Sequence, residues 1–211
     1  MKLRCSLLSH NYFTRIYYVL LFFLIFTSCC KNSNGFNAEE VERLVNEGDI
    51  AFRRGHSAES RAVLHFDSLG LYSHIGIVVL ADSVYKIIHC VPGESPGDSI
   101  RMDNIGEFFA EDRAGAGAIA RLPNRAGHAF LAARYAHSKY REVILFDHDY
   151  DLDDTTRMYC SELVWKAYLH TGIDITARSR TIVEGVPLMS GTYIMPSDIY
   201  ANKELNIIYQ F

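Results

Sequence analysis

The sequence predicts an α+β domain in which an antiparallel sheet packs against a helix that opens with a cysteine, and three observations carry that prediction. Two β-branched runs, residues 73–80 and 84–91, are separated by Ala81-Asp82-Ser83 and read as a hairpin with a three-residue turn. Behind Cys160, the apolar residues Leu163, Val164, Ala167 and Tyr168 recur at three- and four-residue steps, the period of a buried amphipathic helix, and Gly172 is a natural stop. The chain has 211 residues, 49% hydrophobic and 22% charged, which is enough for one well-packed domain and short for two.

In chain order, Lys2, Arg4 and Arg15 precede an apolar run over 16–26 that Thr27-Ser28-Cys29 closes with small residues. This pattern predicts a secretory leader, too short for a membrane span. Ile25-Phe26-Thr27-Ser28-Cys29 resembles a bacterial lipobox, with Phe26 where Leu is preferred. The expected organisation is therefore a lipoprotein signal peptide over 1–28, a polar tether over 29–36 beginning at a lipidated Cys29, and a catalytic domain over 37–211. That places the domain in the bacterial cell envelope, lipid-anchored at the outer membrane and facing the periplasm. An uncleaved anchor helix is the competing reading, and it too sets the domain beyond the inner leaflet.

Asn37 with Glu39 and Glu40 starts a short helix that carries Val41, Leu44 and Val45 and ends at Gly48. Residues 49–52 form a strand and 57–65 a helix. After the hairpin, Pro92-Gly93-Glu94-Ser95-Pro96-Gly97 is a loop of turn formers bordering the end of the second strand. A strand over 99–102, a helix over 104–111, a strand over 117–122 and a helix over 126–140 follow, the last with Phe130, Leu131, Arg134 and Tyr135 at helical spacing. Pro196 starts a helical turn and residues 206–211 form a closing strand. The acids of 147–154 alternate as in a calcium loop. Leu152 stands where that loop needs Gly and Met158 where it needs Glu, so a solvated acidic loop at the rim of any site beside Cys160 is the reading.

The formal charge is −4, and a chain beginning at Cys29, without the three leader cations, carries −7, which argues against nucleic-acid binding by bulk charge. Among the five cysteines, Cys90 and Cys160 alone lie in the domain, with no zinc spacing. Strand alternation turns Cys90 away from the face of His89. His56, His65, His128 and His137 have no partners at ligand spacing and read as surface residues, so no metal or cofactor is expected.

A cysteine in the first turn of a helix meets unpaired N–H groups and the positive end of the helix dipole, which favour the nucleophilic thiolate. His74 begins the first hairpin strand and His89 lies near the end of the second, so antiparallel pairing brings the two imidazoles together. A helix-borne Cys160, a base His74 and an orienting polar residue, His89, form the arrangement of papain-like hydrolases. A buried structural cysteine and strand-end histidines are the plainer alternative.

Gly48-Asp49-Ile50-Ala51-Phe52, Tyr72-Ser73-His74-Ile75-Gly76-Ile77-Val78 and Tyr159-Cys160-Ser161-Glu162-Leu163-Val164 resemble the three signature segments of the YiiX/YebB-like permuted papain-like proteins, within the NlpC-type and lecithin:retinol acyltransferase-like superfamily. The resemblance runs from Glu47 to Phe211, and the order His74 before Cys160 is that of the permuted branch. It implies a circularly permuted papain-like fold with catalytic Cys160 and His74. The third group falls at His89, where many members carry Glu and the acyltransferase-like relatives a second His. It further implies a thiol hydrolase or acyltransferase acting on a cell-wall peptide or a lipid amide or ester. A catalytically silent envelope lipoprotein, binding a ligand or partner in the same groove, is the alternative.

Overall fold

The computed structural model describes residues 35–92, 99–186 and 190–211. The leader, Cys29 and most of the loop after Pro92 lie outside them. Asn37 caps α1 (Ala38–Leu44) by accepting the Glu40 N–H at 3.2 Å, and Val41 is the residue this short helix buries. The chain turns at Gly48, whose φ is +84° and where a Cβ would come 2.3 Å from the Ala129 carbonyl oxygen. Asp49 secures that corner: it accepts the Asn46 N–H at 2.7 Å and is gripped by Arg121 at 2.6 and 2.7 Å. The acid of the first signature segment is therefore structural, and β1 (Ile50–Arg54) follows from it.

Ser57 caps α2 (Ala58–Phe66) through the Ser60 N–H at 3.1 Å. The hairpin consists of β2 (His74–Ala81) and β3 (Val84–Cys90), and its turn is one residue tighter than the sequence suggested. Ala81 pairs with Val84, leaving Asp82 and Ser83 at φ 52° and 65°, the positive values a two-residue turn needs to match strand twist. Next come β4 (Ile100–Asn104), α3 (Ile105–Phe108), which is a single turn rather than the expected longer helix, β5 (Ala116–Arg121) and α4 (Ala126–Arg141). The remaining elements are β6 (Leu145–Phe146), β7 (Arg157–Met158), α5 (Cys160–Leu169), β8 (Thr181–Val183), β9 (Gly191–Tyr193), α6 (Pro196–Tyr200) and β10 (Asn206–Gln210). The two short strand pairs had no sequence signal.

Six strands form one antiparallel sheet in the order β10-β5-β1-β2-β3-β4. Strand alternation sorts its residues to two apolar layers. Ile50, Phe52, Ile75, Ile77 and Ile88 face α4 and α5, whereas Ala51, Val78, Ile87 and Ile119 face α1, α3 and Phe211. α5 buries Leu163, Val164, Ala167 and Tyr168 against the sheet, and the Tyr168 hydroxyl donates to the Gly48 carbonyl at 2.6 Å. In α4 the buried stripe is Ala129, Ala132, Ala133 and Ala136, while Phe130 and Leu131 point to solvent. Small residues at these positions let the helix lie close to its neighbours. The acidic loop is not simply solvated. Asp147 is fully buried and accepts the N–H groups of Asp149 and Asp151 at 2.9 and 2.6 Å, so the loop folds around it.

Candidate active site

Four adjacent strands contribute one polar side chain each to the same face of the sheet. Arg53 on β1 stands opposite His74 on β2, while His89 on β3 and Asp103 on β4 continue the row. His74 Nε2 and His89 Nδ1 are 2.8 Å apart, and His89 Nε2 is 3.1 Å from Asp103 Oδ2, an ion-pair distance. Arg113 holds the same Asp103 oxygen at 3.0 Å. Phe108, from the single turn of α3, roofs the row: its ring centroid lies 5.8 Å from His74, 5.1 Å from His89 and 4.6 Å from the Arg53 guanidinium carbon. The expected pairing of His74 and His89 is thus what the strands produce. Asp103 was not foreseen, because a lone acid in a short strand has no local signature.

The row depends on a parting of strands. The β2–β3 ladder ends at Ile77 and Ile88, so His74 to Gly76 pair only with β1. Gly76 allows β3 to pass close there: a Cβ would come 2.8 Å from the Ile88 carbonyl oxygen and 3.1 Å from His89 Cβ. α5 lies on the opposite layer of the sheet, but its first residue meets the start of β2. The Cys160 thiol is set against the backbone N–H of Ile75, the residue following His74, and 3.7 Å from the Ser161 hydroxyl. Glu162 closes the helix start by accepting the Tyr159 N–H at 3.2 Å and pairs with Lys166 at 2.7 Å.

Burial dominates the electrostatics. It raises the Cys160 pKa, while hydrogen bonds from Ser161 and Ile75 and the Arg53 charge pull it back only in part. The resting thiolate expected from the helix N-terminus is therefore corrected to a thiol, because desolvating the anion costs more than a few N–H groups return. Burial also drives His74 well below its ordinary value, helped by Arg53 and His89. His89 is lowered by burial to about 4, opposed by Asp103. At Asp103 burial acts upward, but His89, Arg113 and Arg101, whose Nε lies 3.8 Å from the other carboxylate oxygen, prevail and the net shift is downward. Neutral imidazoles beside a thiol and a carboxylate are the resting state. With Nε2 of His74 committed to His89, its Nδ1 is the nitrogen left for the thiol; the tautomers follow from this network.

Cys160, His74 and Arg53 line one cavity of about 740 Å³. Its walls are largely apolar: Val63 and Phe66 of α2, Phe146, Tyr159, Ile194 and Met195. α2 buries no residue in the core, so its apolar side serves the cavity instead. His148, Asp149 and Tyr150 of the acidic loop also line it, as the rim reading anticipated, and so does His56, which the sequence left as a plain surface residue. Cys90 is fully buried in the layer facing α5, away from the His89 row, and both cysteines are free. Among the described residues no group of three His, Cys, Asp or Glu side chains is placed to hold a metal ion.

An antiparallel sheet bearing a histidine row, with a cysteine at the start of the packed helix, defines a permuted papain-like thiol hydrolase. The chain belongs to the C92 family of permuted papain-like amidases, the YaeF/YiiX family, whose model matches residues 44–209. It is thus an enzyme of the cysteine amidase type. The crystal structure of YiiX from Escherichia coli O157:H7, described as a metalloprotein, superposes with a TM-score of 0.64 at 17% identity, covering 80% of this chain and 98% of that one. At that identity the likeness concerns the fold. No curated protein matches the sequence.

Proposed function

We propose that the enzyme cleaves an amide or ester of an apolar acyl group through Cys160, His74 and His89, with Asp103 positioning His89. The observation that carries this is the shared cavity: the thiol and His74 open into one apolar-walled space, and His74 is fixed from behind by a 2.8 Å contact to His89. His74 Nδ1 takes the thiol proton as sulfur attacks the carbonyl carbon, and the proton passes to the departing amine or alcohol. Water then hydrolyses the thioester, with His74 again taking the proton. The first-turn N–H of Cys160 supplies an oxyanion donor, a contribution worth about 3 kcal/mol in comparable sites. His89 orients the His74 ring, and the Asp103 carboxylate steadies the cation that forms on it.

The apolar walls favour a lipid-like amide or ester over a cell-wall peptide. Screening N-acyl amides and acyl esters against muropeptides, with Cys160→Ala as the zero, tests this; turnover of muropeptides alone refutes the lipid-like class. The leader pattern supports lipidation at Cys29 and an envelope location. Mass spectrometry of the mature protein from a bacterial membrane checks that, and an unmodified N-terminus upstream of Cys29 overturns it.

A further inference from the structure

Arg53 is charged, 9% exposed and only partly engaged. Its Nη1 donates to the Phe108 carbonyl at 2.8 Å, and its Nε is buried with no hydrogen-bond partner. Among the described residues no carboxylate lies within ion-pair distance of it. Asp103, the nearest acid in the row, is taken up by Arg113 and His89. The Asp103 charge acts on Arg53 only from beyond contact distance; a buried guanidinium with no carboxylate against it is costly, and a fold tolerates one where an anion is to arrive. The Phe108 ring and carbonyl hold the plane still, which leaves the edge formed by Nε and Nη2, two parallel donors that match a planar carboxylate. The group lines the same cavity as Cys160 and His74, and its charge acts on both.

We propose that Arg53 binds a carboxylate of the substrate beside the carbonyl that Cys160 attacks, so that the substrate class is an apolar acyl amide or ester bearing an acid group next to the scissile bond. This rests on Cys160 being the nucleophile, and the test separates the two claims. A full-length chain is alkylated with iodoacetate, which carries a carboxylate, and with iodoacetamide, its neutral counterpart. In each case a thioether forms at Cys160, the carbon–iodine bond breaks, iodide leaves and the thiol proton goes to His74. Rates at Cys160 are read by peptide mass spectrometry and divided by those of glutathione.

The parent should prefer iodoacetate over iodoacetamide by about tenfold relative to glutathione, the ratio that one charge-assisted pair carries. Arg53→Met should lose that preference, and Arg53→Lys, which keeps the charge without the two-donor edge, should keep part of it. If circular dichroism shows that the Met variant does not fold, the Lys variant decides, and an undiminished preference there overturns the proposal. An equal ratio in parent and Arg53→Met, with alkylation still dependent on His74, overturns the carboxylate site and leaves the nucleophile standing. An equal loss of both rates in Arg53→Met does the same, since Arg53 would then act on the thiol alone. Alkylation of Cys160 that is indifferent to His74→Ala removes the nucleophile reading and the proposal with it.

Discussion

Replacing His89 tests how the site works more sharply than removing the nucleophile. His89 Nδ1 receives His74 Nε2 at 2.8 Å, and the two rings are 1% and 8% exposed, so no solvent replaces a lost partner. His89→Ala leaves a buried N–H unpaired, which costs about 1–3 kcal/mol; if that cost falls on the transition state, kcat/KM drops about 5- to 150-fold. His89→Asn keeps an acceptor and should stay within about tenfold of the parent. His89→Glu restores the residue many relatives carry, yet here it would set a carboxylate against Asp103, whose Oδ2 now lies 3.1 Å from the His89 ring. Two buried carboxylates cannot both ionise cheaply, so His89→Glu should be poorer than His89→Asn, and adding Asp103→Asn should recover it. The assay is kcat/KM on the best acyl substrate for these variants, alongside His74→Ala, for which a loss of about 10² to 10⁴ is expected. If His89→Ala matches the parent while His74→Ala is dead, or if Asp103→Asn leaves His89→Glu unimproved, the relay from His74 to Asp103 is wrong.

Other outcomes follow from burial. Alkylation of Cys160 by iodoacetamide should keep rising with pH past neutrality, because burial lifts its pKa from an ordinary 9.0; a plateau below pH 7 would mark a resting thiolate and contradict this. His89 titrates at 6.5 in the unfolded chain and about 4 when folded, so the unfolded state binds more protons between those values and stability falls as pH drops through the window. That term amounts to roughly 3 kcal/mol; urea titrations at pH 7 and pH 4.5 should show a smaller acid loss in His89→Asn, and an unchanged loss refutes it. Gly76→Ala forces a Cβ to within 2.8 Å of the Ile88 carbonyl oxygen and should cost stability and activity together. About 1–3 kcal/mol is expected from denaturant midpoints, and a neutral effect would mean the strands part more widely than described.

What could be read from the sequence was what one stretch of chain decides. The cap at Asn37, the helix that begins near Ser57, the two hairpin strands and the amphipathic run behind Cys160 are local, and each forms where the pattern put it apart from the tighter hairpin turn. His74 and His89 were placed together by strand pairing alone, since only one short turn separates their strands. Arg53 and Asp103 escaped because their role depends on which strands flank the hairpin, and that order is settled by packing across the whole sheet. The state of Cys160 was misjudged for a related reason: a helix start can be seen in sequence, whereas the depth at which its thiol is buried cannot. The alanine stripe of α4 shows the same limit, since the helical spacing of Phe130 and Leu131 does not say which face of the helix is buried.

The base and the nucleophile sit on opposite layers of one sheet and meet only where β2 and β3 part. The chain order gives this a temporal meaning. β1 to β4 are consecutive both in sequence and, from β1 outward, in the sheet, so the histidine row can assemble from contiguous chain as it leaves the ribosome. Cys160 emerges much later and meets His74 only after α5 has docked on the far layer. A nascent or partly unfolded chain therefore holds a base without a nucleophile, or a bare thiol without a base, and the hydrolytic hazard appears only with the finished domain.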